Sequence, residues 1–379
     1  MAPTHFSFRK LWRKIRQDGI ETAVLDSVET LYRRFFYTHI FQFLSKRGYI
    51  RVLQGGDLQD RANYTVDLDL EGRGPAYELN SGYVFSDTGL VVTDDLEVIA
   101  QSVGNPPFSK RFTIESLAHQ DFSRASATPR ILQQSNKEIC YTEVPENICP
   151  LIPRYDNYYH WMVGTVPKIR YIERYEEKTG KSVTFLLPHN SSPWVQQTFS
   201  LLGCPSDKFI SAQSPIYKPK NIIIPPHPFP GQLEDYKWIR QRVLDNLDTN
   251  HTKQSTERIY ISRDRAIARQ VSNEDELMEI LVSYGFKKYH LEDQTLSENV
   301  RLFSNADIVV SPHGAGLTDI IFCEDAKIVE LFGSQKTNSY EELSNCLGLS
   351  YHHVDCDPNS TDIFVDTVAL QEIIEIITT

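Results

Sequence analysis

The stretch Asp307-Ile308-Val309-Val310-Ser311-Pro312-His313-Gly314-Ala315-Gly316-Leu317-Thr318 runs from an unbroken apolar core into three small residues and then into a second apolar series. A short, wholly apolar run bounded by turn residues reads as a strand buried on both faces. Gly-Ala-Gly then gives a tight turn that opens a helix. The unpaired N–H groups and positive dipole of a helix start make such a corner a seat for an anion.

The flanking sequence repeats the same unit. Arg258–Ser262 reads as a strand, and Asn273 with Glu276 three residues on has the spacing of a capping box. Leu277, Ile280 and Leu281 supply that helix with its apolar face, and Gly285 stops it. Thr295 and Glu298 predict a second capped helix carrying Val300 and Phe303, and Lys327–Phe332 a further strand. The final helix spans Val365–Ile377 and could return to the first lobe. Strand and helix in alternation build a parallel sheet covered on both faces, which binds ligands beyond the carboxyl ends of its strands.

Towards the N-terminus the pattern weakens. Trp161–Lys178 has helical spacing closed by Gly180, followed by a strand at Val183–Leu187, a helix at Trp194–Leu202 and a strand at Ile222–Ile224. Between Arg51 and Asn147, short β-type runs (Val66–Leu68, Tyr83–Phe85, Leu90–Thr93, Val98–Ile99) are broken by Gly, Pro, Asn and Asp. Pro225, Pro226, Pro228 and Pro230 form a stiff segment suited to a hinge. Residues 6–47 alternate basic and apolar residues at helical spacing, which fits either an arm packed on the body or a helix lying on an anionic membrane.

A chain of 379 residues favours two domains. The expected division is a basic helical arm at 1–50, an acceptor-side lobe with a β-rich lead-in at 51–235, a donor lobe at 236–358 and a C-terminal helix at 359–379. The net charge of −11 opposes nucleic acid as the main partner. It is unevenly spread, because residues 1–50 hold nine basic against four acidic side chains and the remainder carries −16. Six cysteines without a repeated spacing fit a reduced, cytoplasmic protein, and no apolar run approaches the roughly 20 residues that span a bilayer.

Several residues could do chemistry. Arg263, Arg265 and Arg269 follow the strand Ile259–Ser262, and their guanidinium forks suit phosphate oxygens or a solvated loop equally. His313 can donate to an anion. Glu330, an acid within the apolar run Lys327–Leu331, needs either a ribose diol or an internal partner. Asp156-Asn157-Tyr158-Tyr159-His160-Trp161 stands at a loop-to-helix junction where His160, unless simply packed, could take a proton from an acceptor hydroxyl. Asp67-Leu68-Asp69 and His352-His353 with Cys356 look like metal ligands but lack completing partners. The triphosphate-binding P-loop and the dinucleotide fingerprint are both excluded by spacing.

Taken in order, Asn157-Tyr-Tyr-His160-Trp161, Arg258-Ile-Tyr-Ile-Ser-Arg263 with Arg269 and Asn273-Glu274, Ala306-Asp307 leading to His313-Gly-Ala-Gly-Leu317, and Val329-Glu330 resemble glycosyltransferase family 61 over about residues 140–335. The family includes capsular-polysaccharide enzymes, xylan xylosyl- and arabinosyltransferases and O-linked N-acetylglucosamine transferases. The resemblance implies a GT-B-like fold of two Rossmann-type lobes, inversion at the anomeric carbon and no essential divalent metal. By position, Arg263, Arg269, His313, Gly314, Ala315, Gly316 and Leu317 would hold the diphosphate of a nucleotide sugar, a UDP-sugar being the leading choice. Glu330 would meet the nucleoside, and His160, with Asp156 as the lesser candidate, would act as base on the acceptor side. The implied acceptor is a glycan or lipid-linked glycan, with peripheral membrane contact through residues 1–50. The chain departs from the family pattern at Gly164, at Glu298-Asn299 and at Asp319, where other members often carry an acid, Glu-Gln and an Asn. A pyruvyl-type transferase and a non-catalytic nucleotide-sugar-binding protein are the alternatives.

Overall fold

The computed structural model describes residues 52–53, 56–95, 97–102, 141–153, 155–229, 231–247, 257–333, 336–356 and 362–378. The basic arm, Cys140 and Pro230 lie outside the described residues. The chain divides into two compact units, residues 1–154 with 212–227 and residues 155–211 with 228–379.

The first unit is almost wholly β. Its elements are β1 (Val52–Leu53), the short helix α1 (Gly56–Arg61), β2 (Tyr64–Val66), β3 (Ala76–Leu79), β4 (Tyr83–Phe85), β5 (Val91–Val92), β6 (Val98–Ile99) and β7 (Thr142–Pro150). The later strand β10 (Ile216–Ile224), which follows residues 155–211 of the second unit in the chain, joins this first sheet. One edge of β10 pairs antiparallel with β4 through Ile216 and Tyr217 and with β3 through Ile222–Ile224; its other edge runs parallel to β7. Pro219 cannot donate to a ladder, and the β10–β7 register shifts between Pro219 and Asn221. Asp67-Leu68-Asp69 is a turn rather than a strand: Asp67 Oδ1 accepts the Asp69 N–H at 2.9 Å and Asp69 takes a left-handed φ of 52°.

The second unit begins with α2 (Tyr158–Gly164) and α3 (Pro167–Thr179). The single helix expected over Trp161–Lys178 is broken at Thr165–Val166, because Pro167 lacks the N–H needed to continue a helix yet suits its first turn. Gly180 closes α3 with φ 68°. Next come β8 (Thr184–Leu187), α4 (Pro193–Leu201), β9 (Phe209–Ser211), parallel to β8, and α5 (Leu233–Asn246). The sequence reading gave residues 155–211 to the first lobe, whereas they cluster with the second unit. Hydrophobic periodicity finds such elements but carries no information about which sheet they cover.

The core of this unit is a five-stranded, all-parallel sheet formed by β11 (Glu257–Ile261), β12 (Phe286–Tyr289), β13 (Ala306–Pro312), β14 (Lys327–Phe332) and β15 (Ser350–Asp355). Its spatial order is β12-β11-β13-β14-β15. The chain therefore starts in the interior, moves one way to β12, and crosses back past β11 to β13. The helices are α6 (Glu274–Ser283), α7 (Leu296–Ser304), α8 (Ser339–Leu347) and α9 (Thr367–Thr378). Thr295 and Glu298 form the expected capping box on α7. Asn273 does not cap α6; its side chain instead clamps Val365, accepting from its N–H at 2.9 Å and donating to its carbonyl at 3.0 Å. Helix α9 stays with this sheet instead of returning to the first unit. Leu370, Ile374 and Ile377 join Leu277 and Leu281 of α6 in one buried cluster with Ile308, Val310, Val329 and Leu331. Each such buried side chain contributes about 1.5–3 kcal/mol of transfer free energy.

Candidate functional site

In an open parallel sheet, neighbouring strands whose connections leave in opposite directions open a crevice at their carboxyl ends. Here that point lies between β11 and β13, and the residues following those strands are Ser262-Arg263 and His313-Gly314.

After β13, the His313 N–H donates to Leu331 O at 3.0 Å, and a 3-10 helix spans Ala315–Phe322. The first hydrogen bond of that helix, Leu317 N–H to Gly314 O at 3.0 Å, leaves the N–H groups of Ala315 and Gly316 ahead of it. The helix is 3-10 where the sequence reading expected an ordinary helix. The two glycines let side-chain ends approach the backbone closely: a Cβ on Gly314 would displace the Arg263 guanidinium, and one on Gly316 would lie 2.8 Å from Leu291 Cδ1 and push it aside. Leu317 is fully buried and anchors the turn.

Arg263 lies against Gly314, with Nη2 donating to Ala268 O at 3.3 Å and a buried Nε that has no hydrogen-bond partner. Burial first, and the neighbouring Arg269 guanidinium second, hold Arg263 below the ordinary guanidinium value. Among the described residues neither arginine has an ion-pair partner. Arg269 sits at φ 62°, a left-handed conformation that costs an L-residue about 1 kcal/mol or more and persists only where its surroundings impose it. Those surroundings include Ala266 N–H donating to Arg263 O and the Gln270 amide donating to the carbonyls of Asp264 and Ala266. Arg265, between them, points elsewhere and pairs with Asp293 at 2.6 Å on the surface.

Glu330 is fully buried, and its two oxygens are taken by His313 Nδ1 at 2.5 Å and the Tyr351 hydroxyl at 2.7 Å. Each oxygen thus already accepts from an internal partner, which is the alternative to a ribose diol that the sequence left open. Since a carboxylate only accepts, Nδ1 of His313 carries the proton and Nε2 is the outward nitrogen. The ring is further held between Phe332, stacked at 5.5 Å, and Tyr340, edge-on at 5.5 Å.

His160 is placed by the Asn157 side chain, which accepts its backbone N–H at 2.9 Å at the start of α2. Its ring lies 5.4 Å from Tyr159, Tyr159 lies 5.5 Å from Tyr340, and Tyr340 in turn contacts His313. Two tyrosine rings thus separate the two histidines within the same unit. Burial pushes the Tyr159 phenol up to about 12, so it stays neutral. Asp156 is exposed in the bend before α2 and makes no hydrogen bond or ion pair among the described residues.

Sequence reasoning missed Trp194, took Tyr158 only as one of the aromatics at the loop-to-helix junction that could stack on a sugar ring, and noted Asp319 and Asn299 only as departures from the family pattern. Tyr158 OH donates to Asp319 Oδ1 at 2.6 Å, and burial pushes the Asp319 carboxyl up to about 7. The signal for Asp319 was an acid inside the apolar run Leu317–Cys323. Among the described residues no group of three or more His, Cys, Asp or Glu is placed to hold a metal ion.

The fold and corner therefore define a parallel α/β domain whose β11–β13 corner gathers two guanidinium groups without an ion-pair partner among the described residues, a histidine backed by a carboxylate, and a helix start. Residues 158–329 match the family model Glycosyltransferase 61, so the resemblance read in the sequence holds over that segment. The chain is 35% identical over 96 residues to the EGF domain-specific O-linked N-acetylglucosamine transferase of Drosophila melanogaster, covering 24% of this chain and 18% of that protein. It is 28% identical over 129 residues to the Mus musculus protein of the same name, covering 31% and 24%. It is also 32% identical over 126 residues to protein O-linked-mannose beta-1,4-N-acetylglucosaminyltransferase 2 of Xenopus laevis, covering 31% and 21%. The matched segments thus span about a fifth to a quarter of these relatives' own length.

Proposed function

We propose that the chain transfers a sugar from a nucleotide-diphosphate donor to a hydroxyl group, with inversion and without a metal ion, on a GT-B-type frame. The observation that carries this reading is Arg263, held against the Gly314 turn with the Arg269 guanidinium beside it and with no ion-pair partner for either among the described residues. Two guanidinium groups kept together at a cost need a dianion, and a diphosphate supplies one in fork geometry. In transfer, the bond from the anomeric carbon to the β-phosphate oxygen breaks as the acceptor oxygen bonds to that carbon. The charge gathering on the leaving diphosphate is met by Arg263, Arg269 and the N–H groups of Ala315 and Gly316. His313, with its Nδ1 proton already matched by Glu330, turns Nε2 towards the same anion and, as imidazolium, adds a donor. His160 is the group on α2 that would accept the acceptor's proton.

The names of these relatives favour an N-acetylglucosaminyl donor, with a protein or glycan hydroxyl as acceptor. A role in surface polysaccharide synthesis, and a cytoplasmic location with peripheral membrane contact, belong to the same proposal. Titrating the full chain with UDP-, GDP- and CMP-sugars while following donor hydrolysis tests it. Saturable binding of one nucleotide class, abolished by Arg263→Ala, is the expected result. Absence of nucleotide binding overturns the reading, and binding without turnover on any offered acceptor replaces it with a nucleotide-sugar-binding protein.

A further inference from the structure

A cavity of about 340 Å³ opens beside the Ala315–Gly316 backbone, within the range of about 300–1,000 Å³ typical of small-molecule sites. Its wall is continuous with the turn proposed to hold the diphosphate, so whatever occupies it is joined to, or adjacent to, that group. Its polar groups come from four directions: Gln197 of α4, Glu292 and Gln294 after β12, Asn299 of α7, and Asp319 of the 3-10 helix. Tyr158 and Trp194 add aromatic surface, their rings edge-on with centroids 5.9 Å apart.

Three observations specify the occupant. No Lys, Arg or His is among the lining residues, and two are carboxylates, so an anionic group entering the cavity would meet like charge without compensation. Asn299 is 9% exposed, and its Oδ1 is out of water with no hydrogen-bond partner. A buried acceptor left unmatched costs about 1–3 kcal/mol, which a ligand donor recovers. Asp319 offers a carboxylate of which one oxygen is engaged by Tyr158. Asn299 Oδ1 and the carboxylates of Glu292 and Asp319 thus offer acceptors around the space, while Gln197 Oε1 is already taken by the Leu296 N–H. A planar base presents one polar edge, whereas a pyranose presents hydroxyl donors around its rim and C–H faces to aromatic rings.

We infer that this cavity is the subsite for an uncharged, hydroxyl-rich sugar ring carried on the diphosphate, and that Asn299 and Asp319 select it against acidic sugars. The inference rests on the nucleotide-sugar reading of the neighbouring turn. It assigns a specificity role to the two positions where this chain carries Asn and Asp.

UDP-glucose and UDP-glucuronic acid differ only at C6, so calorimetric titration of the full chain with UDP and with each sugar nucleotide isolates the cavity from the phosphate seat. The expected result is UDP-glucose binding about tenfold or more tightly than UDP-glucuronic acid. Asn299→Ala should shrink that ratio several-fold and leave UDP affinity within about twofold. Measured at pH 8 or above, where the Asp319 carboxyl, pushed up to about 7, is ionised, Asp319→Asn, which preserves shape, should tighten UDP-glucuronic acid several-fold and thereby gives a gain of binding that a misfolded protein cannot produce. Equal affinity for the two sugar nucleotides, or an Asp319→Asn variant that leaves the acidic one unchanged, overturns the inference while the UDP seat stands. Loss of UDP itself in Asn299→Ala moves the nucleoside into the cavity and also overturns it. If wild-type protein binds no UDP, the underlying reading falls first.

Discussion

Two corners at the carboxyl end of the same sheet are built from the same residue types and have opposite character. Beyond β11 and β12, Lys288 lies 2.5 Å from Glu274 and 2.9 Å from Asp264, His290 meets the same Asp264 at 3.0 Å, and Glu274 also accepts from Tyr260 and Ser262. Those charges are matched at home. One strand over, between β11 and β13, Arg263 lies against the turn with Arg269 beside it and, among the described residues, neither has an ion-pair partner; Glu292 acts on Arg263 only from a distance, while the local acid, Glu330, is withdrawn beneath His313. The difference teaches that a basic cluster marks a ligand only where its neutralising partner is missing, because a charge held off water without one is a standing cost that binding relieves.

The sharpest way to break the contrast is to remove one arginine. Arg263→Ala should lower kcat/KM for transfer by about 10²-fold or more, with a melting temperature near wild type, since it leaves no buried partner behind. Removing the shared acid of the matched corner should do the reverse: Glu274→Ala strands Lys288, Tyr260 and Ser262 and should cost about 3 kcal/mol in denaturant unfolding. Glu330→Gln keeps the shape under His313 but frees the tautomer, for an expected loss of about 10- to 100-fold in transfer and a displaced pH–rate profile.

Asp319 sharpens the contrast through pH. Its folded value of about 7 lies above that of an unfolded aspartate, so the native state binds the extra proton. The stability this provides is complete below the unfolded value and is lost as pH rises through about 7, amounting to a few kcal/mol. Thermal melts between pH 4 and 8 should therefore fall less steeply for Asp319→Asn than for wild type. The smallest effect belongs to Arg265→Ala. Its exposed pair with Asp293 should leave both melting and transfer unchanged, although it sits two residues from Arg263.

The parallel half was legible because its signals are local. The apolar run at Ile308–Val310 needs burial on both faces, and the Thr295/Glu298 box and the stop at Gly285 act within a few residues. The positions of His313 and the small turn could be read for the same reason. What could not be read depends on distant partners. Asn273 looks like a cap until Val365, 92 residues on, claims its side chain. Glu330 resembles a ribose ligand until Tyr351 and His313 fill both its oxygens. Arg263 and Arg265 are indistinguishable on paper and are separated only by which way the Arg263–Gln270 loop folds.

The strand order β12-β11-β13 has a further consequence. The proposed seat for the diphosphate is a product of connectivity: two chain crossings depart in opposite directions and leave a gap between their strands. No side chain excavates it. Recognition of the transferred group is instead delegated to interchangeable positions such as Asn299 and Asp319, on elements that flank the gap. Retargeting such a protein to another donor is thus a repainting of the walls, carried out while the foundation stays where the order of the strands put it.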